Sequence, residues 1–183
     1  MAVTITNKAS IKLLFSQMSK VYFTSTPNQV TPDLAFIELP ILEDSVTFKT
    51  GEAQLTKVKL IGGEVWDVIA KAGDDDMSLQ IGSVNDTITS MFIDKVSDAT
   101  VSTAVSFNGV SYTGQGYSTA VKRVTGGFWM TNSDATAAIW LPNVECYSSL
   151  MMDNNKPSYI NVKFSALSDT KGAAIYVMTK QQP

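Results

Sequence analysis

From residue 34 onward, apolar and polar residues alternate in short runs separated by glycine, proline and acidic breaks. A period of two places successive side chains on opposite faces of an extended strand. The stretch LAFIELPIL is rich in Leu, Ile and Phe and reads as extended. Residues 45–49 set Val46 and Phe48 against Ser45, Thr47 and Lys49. Residues 54–61 set Thr56, Val58 and Leu60 against Leu55, Lys57, Lys59 and Ile61. Gly62-Gly63 then predicts a two-residue hairpin turn, since both residues tolerate positive φ. Residues 64–71 return with Trp66, Val68 and Ala70 on one face. Gly73-Asp74-Asp75-Asp76 predicts another turn, and residues 77–81 another strand.

One segment departs from this period. In SVNDTITSMFIDK, Val84, Ile88, Met91 and Phe92 fall at i, i+4, i+7 and i+8, a single helical stripe. Ser83 precedes it and Asp86 follows three residues later, a capping box with Asp in place of Glu or Gln. The pattern predicts one short helix over about residues 84–95, with Val84, Ile88, Met91 and Phe92 as its core face.

Beyond the helix the strand pattern returns. Asn108-Gly109 and the Gly114-Gln115-Gly116 stretch read as turns, and Gly126-Gly127 as a second glycine-pair hairpin between residues 120–124 and 128–131. Residues 136–141 read as extended and closed by Pro142. Pro157 opens a strand with Ile160, Val162, Phe164 and Ala166 inward and Asn161, Lys163 and Ser165 outward. Lys171-Gly172 turns into a last strand over 173–179, marked by Ile175 and Val177. About ten strands and one helix predict a mainly β fold, a β-sandwich or open β-barrel with the helix flanking one end. Residues 34–183 read as a single domain. Residues 1–33 read as a partly irregular N-terminal arm, because the prolines of STPNQVTPD mark loop.

Composition changes this picture in one respect. Charged residues make up only 17 % of the chain, against about a quarter in ordinary soluble domains, so part of the surface is expected to be covered by partners. The 14 basic and 17 acidic residues leave a net charge of −3, which argues against a basic nucleic-acid-binding stripe. No apolar run approaches the ~20 residues of a membrane helix, so no membrane insertion is expected. The first residues lack the apolar core of a signal peptide, which predicts synthesis in the cytoplasm.

Candidate chemistry is sparse. The chain has no histidine, so a Ser-His-Asp triad cannot form, and the single Cys146 has neither an imidazole to activate it nor a disulfide partner in the chain. Asp74-Asp75-Asp76 could offer oxygen ligands but lacks the alternating acids, central Gly and distal Glu of a calcium loop; it reads as a solvated turn. Glu64 and Asp67 lie three apart on a strand, hence on opposite faces, and do not form a glycosidase pair. Neither glycine pair leads into the Lys-Ser/Thr and helix start of a phosphate loop. Trp66, Phe128, Trp129 and Trp140 have no nearby basic groove and read as core or subunit-contact anchors. No catalytic, cofactor or metal residue is predicted, and the chain is not expected to be an enzyme.

The run IELPILEDSVTFKTGEAQLTKVKLIGGEVW resembles the opening of a bacteriophage major tail tube protein. The matching pieces are Phe36-Ile37-Glu38-Leu39, then Leu42-Glu43-Asp44-Ser45-Val46, then Gly62-Gly63-Glu64-Val65-Trp66. The helix after Ile81-Gly82 and the closing stretches SYINVKFSALSD and KGAAIYVMTK follow in the family's order, so the resemblance extends over residues 36–180. The usual leading Gly of the second piece is missing, and Pro40 stands nearby. The inner tube of type VI secretion is similar in fold. The resemblance implies a β-sandwich that assembles with itself into stacked hexameric rings, with neighbouring sheets joined around a lumen. It implies a virion location, tape-measure and terminator proteins as further partners, and DNA only as non-specific cargo. It also implies that Thr50, Gly51, Glu52, Ala53, Gln54, Leu55 and Thr56 form a ring-stacking loop, with residues 1–33 an arm across a neighbour. The alternatives are another phage or secretion-system β-protein, such as a baseplate, connector or secreted inner-tube protein, and a carbohydrate-binding sandwich using Trp66, Trp129 and Trp140.

Overall fold

The structure, a computed structural model, describes residues 18–28, 36–82, 86–152 and 158–180. It is mainly β, with one short helix among the described residues. In chain order the elements are β1 (Lys20–Thr24), β2 (Ile37–Leu39), β3 (Thr47–Lys49), β4 (Ala53–Lys59), β5 (Val65–Ala72), β6 (Asp76–Ile81), α1 (Asp86–Phe92), β7 (Lys95–Phe107), β8 (Val110–Tyr117), β9 (Arg123–Thr131), β10 (Ala137–Met151), β11 (Tyr159–Ala166) and β12 (Tyr176–Thr179). The chain divides into two compact units. The first comprises Met1–Pro40, Thr125–Val144 and Ala166–Pro183; the second comprises Ile41–Val124 and Glu145–Ser165.

In the first unit the strand order is β2-β1-β9-β10, with β12 also on β10. Antiparallel register sets Val21 opposite both Leu39 and Met130, and Phe23 opposite Phe128. Directly opposed residues share a face of an antiparallel sheet, so these five side chains form one apolar layer, and all are buried. The rings of Phe23 and Phe128 lie 5.1 Å apart and tilted, a favourable aromatic geometry. The strand β1 falls in the stretch preceding STPNQVTPD, where sequence reading placed only an arm; its KVYFT alternation is short and easily passed over.

In the second unit β11, β6 and β3 are neighbours. Ile160 faces Ile81, Val162 faces Leu79, and Phe48 faces Met77. The inward positions expected at Ile160, Val162 and Phe164 are buried, and Ala166 is half-buried; the strand expected over 77–81 is β6, which buries Met77, Leu79 and Ile81. Helix α1 buries Ile88, Thr89 and Phe92, and Met91 is half-buried. Val84 and Ser83 lie outside the described residues, so the capping box does too. The helix ends at Phe92, short of the expected 95. Its last turn closes with the Ile93 N–H on the Thr89 carbonyl at 2.7 Å, and Lys95 already begins β7, whose VSDATVSTAV sequence is rich in strand-favouring β-branched residues.

Two hairpins, β4–β5 and β7–β8, form separate two-stranded sheets in this unit. The Gly62-Gly63 turn is present, with φ of 121° and 90°, and so is the Asn108-Gly109 turn, at 51° and 76°. Three expected breaks are absent. Gly126-Gly127 lies inside β9, because a Cβ on Gly126 would sit 2.1 Å from the Thr24 carbonyl oxygen and 2.7 Å from the Phe23 ring; the glycine admits β1 rather than turning the chain. Gly114 and Gly116 lie inside β8, where a Cβ on Gly116 would meet that of Ala99 at 2.6 Å. Pro142 does not end β10. The β12 ladder pairs only Ala137 to Trp140, so the missing N–H falls beyond it, while the Pro142 carbonyl accepts from the Asn28 N–H at 2.6 Å. The last strand is shorter than expected: β12 starts at Tyr176, and Val177 is exposed.

Candidate functional site

The feature that sets this chain apart is apolar surface on the two hairpins. All of β5 and nearly all of β4 are exposed, and Trp66 is 72 % exposed. Leu55 faces Ala70, Lys57 faces Val68, and Trp66 shares their side by alternation. That side therefore carries Leu55, Trp66, Val68 and Ala70 around Lys57, with Leu60 and Ile61 exposed at the tip. The base of the hairpin is held by polar contacts. The Gly51 N–H donates to Asp75 Oδ1 at 2.7 Å, and the Gly73 N–H to the Glu52 carbonyl at 3.0 Å.

The β7–β8 hairpin is likewise exposed until its last few residues. Register sets Val105 opposite Tyr112, Phe107 opposite Val110, and Val101 opposite Gly114. These residues define one apolar side, with Phe107 68 % exposed. The other side carries Ser106 opposite Ser111 and Thr100 opposite Gln115. It is laced by hydrogen bonds from Thr100 Oγ1 to Gln115 Oε1 at 2.6 Å and from Gln115 Nε2 to the Val96 carbonyl at 2.7 Å. An isolated two-stranded ribbon is marginally stable in water at best.

The expected ring-stacking residues are divided between two elements. Thr50, Gly51 and Glu52 form the connection at the hairpin base, and Ala53, Gln54, Leu55 and Thr56 belong to β4. The free tip of this hairpin is instead the turn around Gly62-Gly63. The β7–β8 surface is not marked in the sequence, because Gly114-Gln115-Gly116 has the composition of a turn but lies within β8.

Polar clusters pin the elements around these hairpins. The Asp86 carboxylate accepts from the Tyr117 hydroxyl at 2.6 Å and pairs with the Lys95 ammonium at 3.2 Å. Together, the hydroxyl first, they hold Asp86 below the usual carboxylate range, and the hydrogen bond to Asp86 in turn raises Tyr117. Lys122 bridges Asp94 at 3.4 Å and the Ser90 carbonyl at 2.9 Å. Glu145 accepts from the Tyr147 hydroxyl and pairs with Arg123 at 2.7 Å, which lowers its pKa in that order of effect. In the first unit Asp169 is held low mainly by the Tyr176 hydroxyl at 2.6 Å, with the backbone N–H groups of Ala173 and Lys171 adding to it.

Burial pushes the Cys146 thiol up to about 12, with Glu145 beside it adding to the effect, so it is a poor nucleophile. Asp75 of the acidic run is occupied by Gly51, and among the described residues no cluster of three or more His, Cys, Asp or Glu side chains could hold a metal ion. Trp140 packs between Trp129, at 6.4 Å, and Tyr176, at 4.8 Å, and is only 9 % exposed. It cannot serve in the sugar-stacking platform. No helix among the described residues is long and apolar enough to cross a membrane. No protein-family model matches the chain, and no curated protein is significantly similar to it.

Proposed function

We propose that this chain is a structural subunit that assembles with copies of itself, as a bacteriophage tail tube protein does, into stacked rings around a channel for DNA. The carrying observation is the apolar side of each exposed hairpin, with Leu55, Trp66 and Val68 on one and Val105, Phe107 and Tyr112 on the other. Patches of this kind on a chain with only 17 % charged residues support burial against further protein. The ribbons also leave backbone donors and acceptors along their outer edges, which a neighbouring strand would satisfy. In this reading the strands belong to a sandwich or open barrel flanked by α1, six copies close a ring, and the base of β4 takes part in stacking.

Electron microscopy of the purified full chain over a rising concentration series tests the proposal. Tubes of uniform width are the expected result. Discrete rings that never stack would favour a connector-like role, and single particles at every concentration would overturn self-assembly.

A further inference from the structure

From residue 99 to residue 117 the chain contains no charged side chain. Nearly all of this run is the β7–β8 ribbon, which is two-faced. Val101, Val105, Phe107, Val110 and Tyr112 lie on one side, and Thr100, Ser106, Ser111 and Gln115 on the other. The hydroxyl and amide side suits water. The apolar side has no partner among the described residues, and its five side chains are each about half exposed or more.

We propose that the apolar side of β7–β8 is the contact surface for a second copy of this chain, with the hydroxyl side left to solvent. This deepens the self-assembly reading and rests on it. A surface that meets its own copies brings the same charges to every contact, so like charges must be absent or offset there. This ribbon has none from residue 99 to residue 117, its two charges, Lys95 and Asp98, standing at the start of β7. The β4–β5 hairpin differs: Lys57, Lys59 and Lys71 stand with Glu64 and Asp67, which suits a contact requiring opposed charges in register. The ribbon's aromatic pair, Phe107 and Tyr112, supplies the large, rigid side chains that anchor interfaces. A nucleic acid would require basic residues, and this stretch has none.

Two sets of variants of the full chain test the assignment by light scattering. Val105→Lys and Tyr112→Lys place a charge on the apolar side; Ser106→Lys and Ser111→Lys place it on the hydroxyl side of the same strands. The apolar-side variants are expected to raise the half-association concentration at least about tenfold, and the hydroxyl-side variants to leave it within about twofold. Val105→Cys and Ser106→Cys, which put no charge on the ribbon, provide a milder second measurement. With Cys146 buried, an alkylating reagent reads the new thiol alone. Val105→Cys should label fast when dilute and at least about tenfold slower when associated; Ser106→Cys should label equally at both concentrations. If the wild type associates while Val105→Cys stays equally reactive and the apolar-side lysines have no effect, the surface is wrongly assigned although self-assembly stands. If the wild type never associates, both fall.

Discussion

At the residue scale, two glycines with different tasks separate conformation from contact. Gly62 has a φ of 121° and nothing within 4 Å of a would-be Cβ, so Gly62→Ala brings only backbone strain, about 1–2 kcal/mol. Gly126 is in ordinary strand geometry, yet a Cβ there would collide with backbone at 2.1 Å. Gly126→Ala is therefore expected to cost about 3 kcal/mol or more and to lower the melting temperature by roughly 6–12 °C, because β1 must move to admit it. Thermal denaturation checks this, and a smaller loss at Gly126 than at Gly62 would contradict the placing of β1 against β9. In the sequence both glycine pairs looked alike. The second was misread because the cause, close approach of Phe23 and Thr24, is distant along the chain.

The Asp86 cluster supports a titration prediction at the same scale. Its carboxyl is depressed in the folded chain, so its contribution to stability is present above the ordinary carboxylate pKa and is lost as pH falls through the lower folded value. Tyr117 works in the opposite sense: its raised hydroxyl contributes below its ordinary pKa and loses that contribution as pH rises through the folded one. Tyr117→Phe removes the larger of the two groups holding Asp86 down. The Asp86 titration midpoint, followed by carbon NMR of the side-chain carboxyl, should move up toward the ordinary range while the Lys95 pairing persists. An unmoved midpoint would show that the hydroxyl does not hold the carboxylate.

At the element scale, local period was legible and long-range pairing was not. The alternation of β6 and β11 and the stripe of Ile88 and Phe92 were readable because burial on one face is recorded directly in residue type. The β4–β5 hairpin was readable from Gly62-Gly63. What alternation could not tell is whether an apolar face is covered within the chain: Trp66 and Val68 have the same pattern as buried strand residues and are exposed. The end of α1 and the passage of β10 through Pro142 depend on tertiary pairing and left no local mark. Trp66→Ala separates the two meanings of an apolar face. Since Trp66 is largely exposed in the single chain, the melting temperature of dilute protein should change by less than about 2 °C. In an assembling chain the same change should raise the half-association concentration about tenfold or more, as expected of a buried aromatic anchor. A large loss of monomer stability with no effect on association would reverse this assignment of the hairpin.

At the scale of the whole molecule, charge and exposed apolar surface act against each other. Every added copy brings a net charge of −3, which opposes association and is screened by salt, whereas burial of the hairpin faces is not weakened by screening. Association driven by these faces should strengthen as salt rises from low to physiological concentration. One driven by opposed surface charges would weaken over the same range. If the exposed hairpins are covered by copies of the same chain, the size of the particle in solution must change with concentration. Sedimentation velocity of the pure full chain from micromolar to near-millimolar concentration follows that covering without assuming its geometry. Growth of a large, discrete assembly at the expense of the single chain is the predicted result; one unchanging monomer boundary over the whole range would contradict the claim.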